Sequence, residues 1–544
     1  MCGIFCLLIN SMESLDLVKL EEYFNYGSKR GPEYSKLTFY NNICFGFHKL
    51  AINGLDEISH QPFEENDLNL ICNGEIYNHR KLVKQLDKKP KTNNDYESIM
   101  HAYRLVGPHC FRLLDGVFSC IIHEVLNDRV IIARDYYGVR PLYICHYKNG
   151  NIGFCSDIKP LLFDKNIISL KHFQPGSYQI YSLNEKKQFE CEHYELFFNK
   201  ECIIQDIVKP EEYYMKRALF LLQSAIKKRM ENCERDIACL LSGGLDSSII
   251  SAYVSRFYKE KYNKNIETYS IGLVNGVDLK YSEMVSSHIQ SNHKTVILSD
   301  EIMIKSIPDV IKDIESYDTT TVRASVGNWN IGKYIKENSQ AKVIFNGDGA
   351  DELMGGYMYF HYSPSDNEFH NENIWLLDHI CCYDVLRSDK SISSHGLEPR
   401  TPFLDRDFTL FYLSIPIQYR NHTNKKHCEK YFIRKAIELF DPDLLPMEVL
   451  WRRKEAFSDG ISSLNKSWYE IIQEKLRNED INIDYNKYSH NKPMTKEQYY
   501  YRELFNKEFG DHDNVIPYFW MPRFIENVTD ASARTLKIYN NQCI

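Results

Sequence analysis

"LLSGGLDSS" occupies residues 240–248 and joins a short apolar run to a helical pattern. The run that ends in it, "IACLL" at 237–241, has the length of a buried strand, and "DSSIISAYVSRFYKE" after it carries helical spacing. At a turn between strand and helix, Ser242, Gly243 and Gly244 let backbone N–H groups close on an anion, and the helix N-terminus adds partial positive charge. A bare Gly-Gly pair would be an ordinary turn. The complete Ser-Gly-Gly-x-Asp-Ser, with Asp246 and Ser247 opening the helix, reads instead as a phosphate cradle. The GxxxxGK[ST] loop occurs nowhere in the chain.

Downstream, apolar runs keep alternating with helical segments: "IETYSIGL", "YSEMVSSHIQ", "KTVIL", two helices, then "KVIFN". Such alternation predicts a parallel, doubly wound α/β sheet. A second strand end, "VIFNGDGADELMGGY" at 343–357, sets Asp348, Asp351 and Glu352 at the carboxyl edge of that sheet, where ligands bind. Acids packed there cost free energy unless a cation or a substrate ammonium neutralises them. From about residue 370 the pattern is mainly helical and rich in Tyr and Asn, with a polar loop near 480–495.

Upstream, residues 1 to about 195 read as short strands between turns, with helical patterns near 79–86 and 94–106. This is antiparallel α+β material. A polar stretch, "FFNKECIIQDIVKPEEYY", leads into a helix at about 211–231. The expected division is 1–195 and 196–544, and 544 residues are too many for one core.

Composition narrows the function. A net charge of −8 with scattered basic residues gives no nucleic-acid footprint. No run of 18 apolar residues predicts a membrane span, and "IFCLLI" is too short for a signal peptide. The 16 cysteines show no disulfide framework and no CxxC pair, and Cys191 with His193 lacks further metal ligands at suitable spacing. A reducing, cytoplasmic setting is expected, so the sequons at Asn421, Asn465 and Asn527 carry little meaning. It also suits "MCGIF" at the start, where removal of Met1 leaves a thiol and a free α-amine on Cys2. That amine titrates near neutrality and can take the thiol proton, then return it to a leaving group.

The SGGLDS loop resembles the pyrophosphate loop of ATP pyrophosphatases, which split ATP between its α and β phosphates. With Cys2 in the same chain, the resemblance is to the glutamine-hydrolysing asparagine synthetases, over nearly the whole length. It rests on "MCGIF", "KRGPE", "FGFHKLAI", "NGEIYNH", "ARDYYGVRPLY", "LLSGGLDSSIISA", "IESYDTTTVRAS", "NGDGADELMGGY", "HGLEPRTPFLD", "LWRRKEAFSDG" and "DASARTLKIY". The resemblance implies an antiparallel-sheet sandwich, an N-terminal-nucleophile glutaminase, followed by an ATP-pyrophosphatase domain with a helical C-terminal part.

By the same resemblance, Cys2 attacks the glutamine amide, and Asn73 and Gly74 form the oxyanion hole. Lys49, Leu50, Ala51, Ile52, Asn53, Glu75 and Asp95 match glutamine-binding positions, and Arg30 helps to shape the pocket. Leu240, Ser242, Gly243, Gly244, Asp246, Ser247, Ile271, Asn346 and Gly347 match ATP-binding positions. Asp246 and Asp351 match Mg²⁺ positions. Thr320, Thr321, Arg323 and Lys454 match groups around the aspartyl-adenylate and pyrophosphate, and Asp348 matches the base that activates ammonia. Ammonia is expected to pass between the sites inside the protein. The implied partners are the small molecules glutamine, aspartate and ATP, with no nucleic acid and no membrane, and a homodimer is left open.

Three departures stand out. Lys49 replaces an Arg that grips the glutamine carboxylate, Lys29 and Glu33 replace the His and Asp of "HRGPD", and Asp348 replaces a Glu. Three other readings stay in view. They are a relative that amidates a different carboxylate, a β-lactam-forming relative, disfavoured because it would not need Cys2, and a non-catalytic protein that keeps the fold. The intact Cys2, "NGE", "SGGLDS" and "DGADE" argue against the last.

Overall fold

Residues that alternate along the first strand, Gly3–Leu8, organise the N-terminal half. Ile4, Cys6 and Leu8 enter one apolar core with Phe45, Phe47, Ile71, Ile121 and Ile132. Phe5 and Leu7 enter a second core with Leu20 and Phe24. A strand buried on both faces needs apolar residues at every position, which is what "GIFCLL" supplies. It sits between Ile43–Lys49 and Ile152–Cys155 in a six-stranded antiparallel sheet. A second six-stranded antiparallel sheet packs on it, with Leu68–Ile76 paired to Gly116–Glu124. The sandwich expected from the resemblance is present. Cys2 lies just before the first strand, and Glu75 of the facing sheet lines the same pocket.

The computed structural model describes all residues except 12–14, 199–207, 424–426, 463–465, 478–480, 485, 527, 529 and 541–544. The middle of the polar stretch at 197–214, part of the loop near 480–495, and the sequons at Asn465 and Asn527 lie outside the described residues. Asn421 is buried. The last strand of the sandwich is Phe189–Leu196, and the helix Glu211–Glu231 opens the second half.

The second half is built on a five-stranded parallel sheet. In space its strands run Asn292–Leu298, Glu267–Leu273, Ile237–Leu240, Val343–Phe345 and Glu398–Arg400. The chain winds outward from Ile237–Leu240 in one direction, then returns to its other side with Val343–Phe345. That reversal leaves a crevice at the carboxyl ends of the two central strands. The strand Glu398–Arg400 was not expected. It is three residues long and contains Pro399, and it is tolerated because it lies at the sheet edge.

Buried ion pairs join the two halves. Arg30 meets Asp389 at 2.7 Å and donates from Nε to the Cys2 carbonyl at 3.1 Å. Arg400 meets Glu75 at 3.2 Å. Removing one partner of such a pair typically costs about 3–5 kcal/mol, because the other charge stays buried. No helix among the described residues is long and apolar enough to cross a membrane.

Candidate functional site

The Cys2 thiol is almost fully buried and donates to the Leu50 carbonyl at 3.6 Å. Burial, with Met1 still attached, pushes the thiol up to about 11. Met1 itself is fully buried, and its amine donates to Leu397 O across the junction of the halves. Around Cys2 stand Lys49, Leu50, Ala51, Ile52, Asn53, Glu75 and Asp95, which leave a gap of about 10 Å³, the room of about one water. A gap of that size admits no amino acid unless the pocket wall moves.

Asn73 is the most informative side chain here. It is fully buried, yet neither its Oδ1 nor its Nδ2 has a hydrogen-bond partner. An orphaned amide costs free energy, and a ligand oxygen would satisfy it. Gly74 has φ +156 because a Cβ there would sit 2.0 Å from the Val117 carbonyl. Its N–H donates to the Tyr96 hydroxyl at 3.1 Å, so it reaches a ligand only when Tyr96 releases it.

Glu75 accepts from Asn53 Nδ2 at 2.7 Å and Asn232 Nδ2 at 2.6 Å. Burial, then the charge of Glu398, raises its carboxyl well above the ordinary value despite Arg400. Burial likewise pushes Asp95 up to about 7.

The departures are now placed. Lys49 Nζ donates to Gly54 O and Asp56 O, at 3.1 Å each, and so braces the 49–56 loop. Glu33 accepts from Ala51 N at 2.7 Å and pairs with Arg235 at 2.9 Å. Lys29 is exposed and pairs with Asp313, away from the pocket.

A larger cavity of about 180 Å³ opens at the switch point of the parallel sheet. Leu240, Ser242, Gly244, Asp246, Ser247, Ile271, Thr320, Thr321, Asn346, Gly347, Asp348, Asp351 and Lys454 line it. Gly243 does not line it but shapes the loop. With φ +82 it packs so closely that a Cβ would lie 2.5 Å from Ser282 N. The helix Leu245–Tyr262 begins after Gly244 with no side-chain cap, so its first N–H groups remain open to an anion. Thr320 Oγ1 is buried without a partner, whereas Thr321 Oγ1 donates to Asp318 at 2.8 Å.

Arg323 corrects an expectation. Its guanidinium lies outside this cavity, paired with Glu497 at 2.6 Å and Asp530 at 2.8 Å. Cavity-lining Thr320 and buried Arg323 share the helix Thr319–Asn338, but the longer Arg323 side chain reaches past the cavity to the two acids that hold it.

Asp246 and Asp351 stand together. Lys430 Nζ lies 2.5 Å from each, and Lys454 Nζ lies 2.6 Å from Asp351 and 3.5 Å from Asp246. Burial would raise the Asp351 carboxyl, but the two ammonium groups outweigh it and hold it well below the ordinary range. Two hard carboxylates that already share a cation are a donor set Mg²⁺ accepts together with phosphate oxygens. Asp348 pairs with Arg387 at 3.0 Å through Oδ1.

One chain thus holds a buried nucleophile pocket and a separate anion-binding cavity. Residues 1–190 match the glutamine amidotransferase domain family, and residues 218–377 and 361–526 match the asparagine synthase family. The asparagine synthetase [glutamine-hydrolyzing] of Gallus gallus is 39% identical, with 99% of each chain covered. Those of Cricetulus griseus and Homo sapiens are each 37% identical over the same shares. The chain belongs to the glutamine-hydrolysing asparagine synthetases.

Sequence reasoning missed Lys430 and Arg387. Lys430 is 184 residues from Asp246 and has positive φ before the helix Tyr431–Phe440, so no local pattern marks it. Arg387 lies in "CCYDVLRSDK", where a solvated helix face reads equally well. Two adjacent acids without a local counter-charge were the one available signal that a distant cation must come in.

Proposed function

We propose that the two cavities divide one reaction. The protein makes asparagine from aspartate, using ATP and the amide nitrogen of glutamine. Residues 1–195 hydrolyse glutamine and 196–544 form the amide. The observation that supports this reading is the pairing, in one chain, of the Cys2 pocket, whose wall residue Glu75 follows the unpartnered Asn73 amide by two positions, with the SGGLDS cavity about Asp246 and Asp351.

Freed of Met1, Cys2 attacks the glutamine amide carbon, and its own α-amine takes the thiol proton. The oxyanion that forms is met by Asn73 Nδ2, which has no other partner to lose. Glu75 and Asp95 hold the substrate's amide and ammonium groups. The resulting Cys2 ammonium then protonates the amide nitrogen, which leaves as ammonia, and water releases glutamate from the thioester.

In the larger cavity, the aspartate β-carboxylate attacks the α-phosphorus of ATP. The adenosine lies against Leu240, Ile271, Asn346 and Gly347. The pyrophosphate leaves into the turn of Ser242, Gly243, Gly244 and Ser247, with Lys454 beside the growing charge. Mg²⁺, held by Asp246 and Asp351, neutralises phosphate charge when bound. Thr320 and Thr321 lie next to the aspartyl-adenylate. Ammonia attacks its acyl carbon, Asp348 takes the proton through Oδ2, the oxygen not on Arg387, and the acyl C–O bond breaks to release AMP. A reducing cytoplasm suits a nucleophile that must remain a thiol.

ATP labelled in its α and γ phosphates tests the first step. With aspartate and Mg²⁺ the label is expected in AMP and pyrophosphate, and recovery of ADP and phosphate rules the mechanism out.

Lys49 gives a second test. Its ammonium braces two carbonyls and meets a carboxylate only as a point charge. Arginine has donors enough for both carbonyls and for one edge of the ligand carboxylate. Lys49→Arg is expected to lower the glutamine KM about tenfold and to leave ammonia-dependent synthesis unchanged. An unchanged or raised KM in folded protein removes Lys49 from the ligand set.

A further inference from the structure

Two acids of the Cys2 pocket, Glu75 and Asp95, are held by a residue from outside the glutaminase half. The helix Glu211–Glu231, which belongs to the second half, ends at Asn232. Its last turn is fixed by Arg229 and Lys228, which pair with Asp405 at 2.7 and 2.5 Å. Beyond it the chain runs along the pocket. Asn232 is 4% exposed, and its single amide nitrogen donates to Glu75 Oε2 at 2.6 Å and to Asp95 Oδ2 at 3.5 Å. Its backbone carbonyl accepts from Asn53 Nδ2 at 3.3 Å. Two residues on, Glu234 N donates to Ile52 O at 3.1 Å, and Arg235 Nε donates to Ala51 O at 2.8 Å.

We infer that Asn232 is a positioning residue for glutamine binding, supplied by the synthetase half to set Glu75 and Asp95 at a fixed spacing. The inference rests on the reading of Glu75 and Asp95 as the groups that receive glutamine. Two buried carboxylates side by side repel, or share a proton. A neutral amide with two hydrogens can hold one on each side without neutralising either. An ammonium in the same place would compete with the substrate for both charges. The 232–235 segment grips the 51–53 loop as well, so the second half also braces that part of the pocket wall.

The test uses the full-length enzyme with Asn232→Ala and the isosteric Asn232→Asp. Asn232→Ala removes the amide that links the two carboxylates, leaves Glu75 on Asn53 and Arg400 and Asp95 on the Ile76 N–H, and substitutes neither Cys2 nor Asn73. The glutamine KM is expected to rise tenfold or more, with the kcat for glutamate release kept within about threefold and ammonia-dependent synthesis retained. Asn232→Asp places a third carboxyl beside the first two. Its KM is expected to rise further and to fall back as the pH is lowered and that carboxyl takes up a proton. Unchanged KM in both variants overturns the inference while the pocket reading stands, provided that wild-type glutamate release still depends on Cys2. A parallel fall in kcat with glutamine and with ammonia makes Asn232 merely structural and overturns it too. Wild-type enzyme that releases no glutamate through Cys2 overturns the pocket reading and this inference together.

Discussion

Cys2→Ala will abolish synthesis from glutamine, by a thousandfold or more, and leave synthesis from ammonia within about twofold of wild type. The size follows from what is lost. An oxyanion forms only after something attacks the amide, and Cys2 is the only thiol among the described residues lining that gap of about 10 Å³. The retained activity follows from distance in the fold, because the cavity about Asp246 and Asp351 is lined without Cys2. The same argument covers Met1. While Met1 is attached, burial pushes the thiol up to about 11, so roughly one molecule in a thousand is ionised at pH 8. Attached Met1 also leaves Cys2 no free α-amine. A tag that keeps any residue ahead of Cys2 should therefore suppress glutamine-dependent synthesis nearly as far as the substitution does. Intact mass of the active protein should show Met1 removed. Loss of both nitrogen sources together in folded Cys2→Ala protein would falsify the division into two sites.

The readable parts of this molecule were those whose chemistry is local in sequence. The strand, turn and helix around "SGGLDSS" obey short-range rules, and the loop stands where the parallel alternation put it. The helices near 79–86 and 94–106 appear as His79–Gln85 and Glu97–Val106, because their apolar spacing persists for two turns or more. What could not be read is what the fold brings together from afar. Lys430 joins Asp246 across 184 residues of chain, and Asn232 joins Glu75 across 157. Nothing in "HCEKYF" or "RMENCE" marks either residue. The strand Glu398–Arg400 is set by parallel pairing to Val343–Phe345, not by its own "EPR". Arg323 failed for a related reason. Its motif, "TTTVRAS", fixes a helix but not the direction of each side chain, and Glu497 and Asp530 claim the guanidinium from distant segments.

The counterpart of the Cys2 result lies in the synthetase cavity, where Lys454→Ala is expected to lower synthesis about a thousandfold with either nitrogen source. Asp246, Asp351, Lys430 and Lys454 form a balanced group of two negative and two positive charges. Without substrate, each carboxylate steadies the ammonium groups. The acids raise the Lys454 ammonium above its ordinary value against the opposing effect of burial, so it remains charged throughout the neutral range. On the proposed reading, the lysines would be released to meet phosphate oxygens once the carboxylates hold Mg²⁺. Removing Lys454 takes a full charge away from the leaving pyrophosphate, and it leaves Asp351 with Lys430 alone. Lys430 is also the more buried of the two, so it can move less to compensate. The first step should suffer most, and aspartate-dependent exchange of pyrophosphate into ATP should fall with synthesis. Glutamate release at Cys2 should stay within about twofold, since Lys454 touches nothing in that pocket. Lys454→Arg keeps the charge on a larger, planar group and should recover only part of the rate. Exchange that survives in Lys454→Ala, with only the later amide-forming step slowed, would move Lys454 from the pyrophosphate to the acyl carbon. Equal loss of glutamate release would instead mean that the variant had disturbed the junction between the halves.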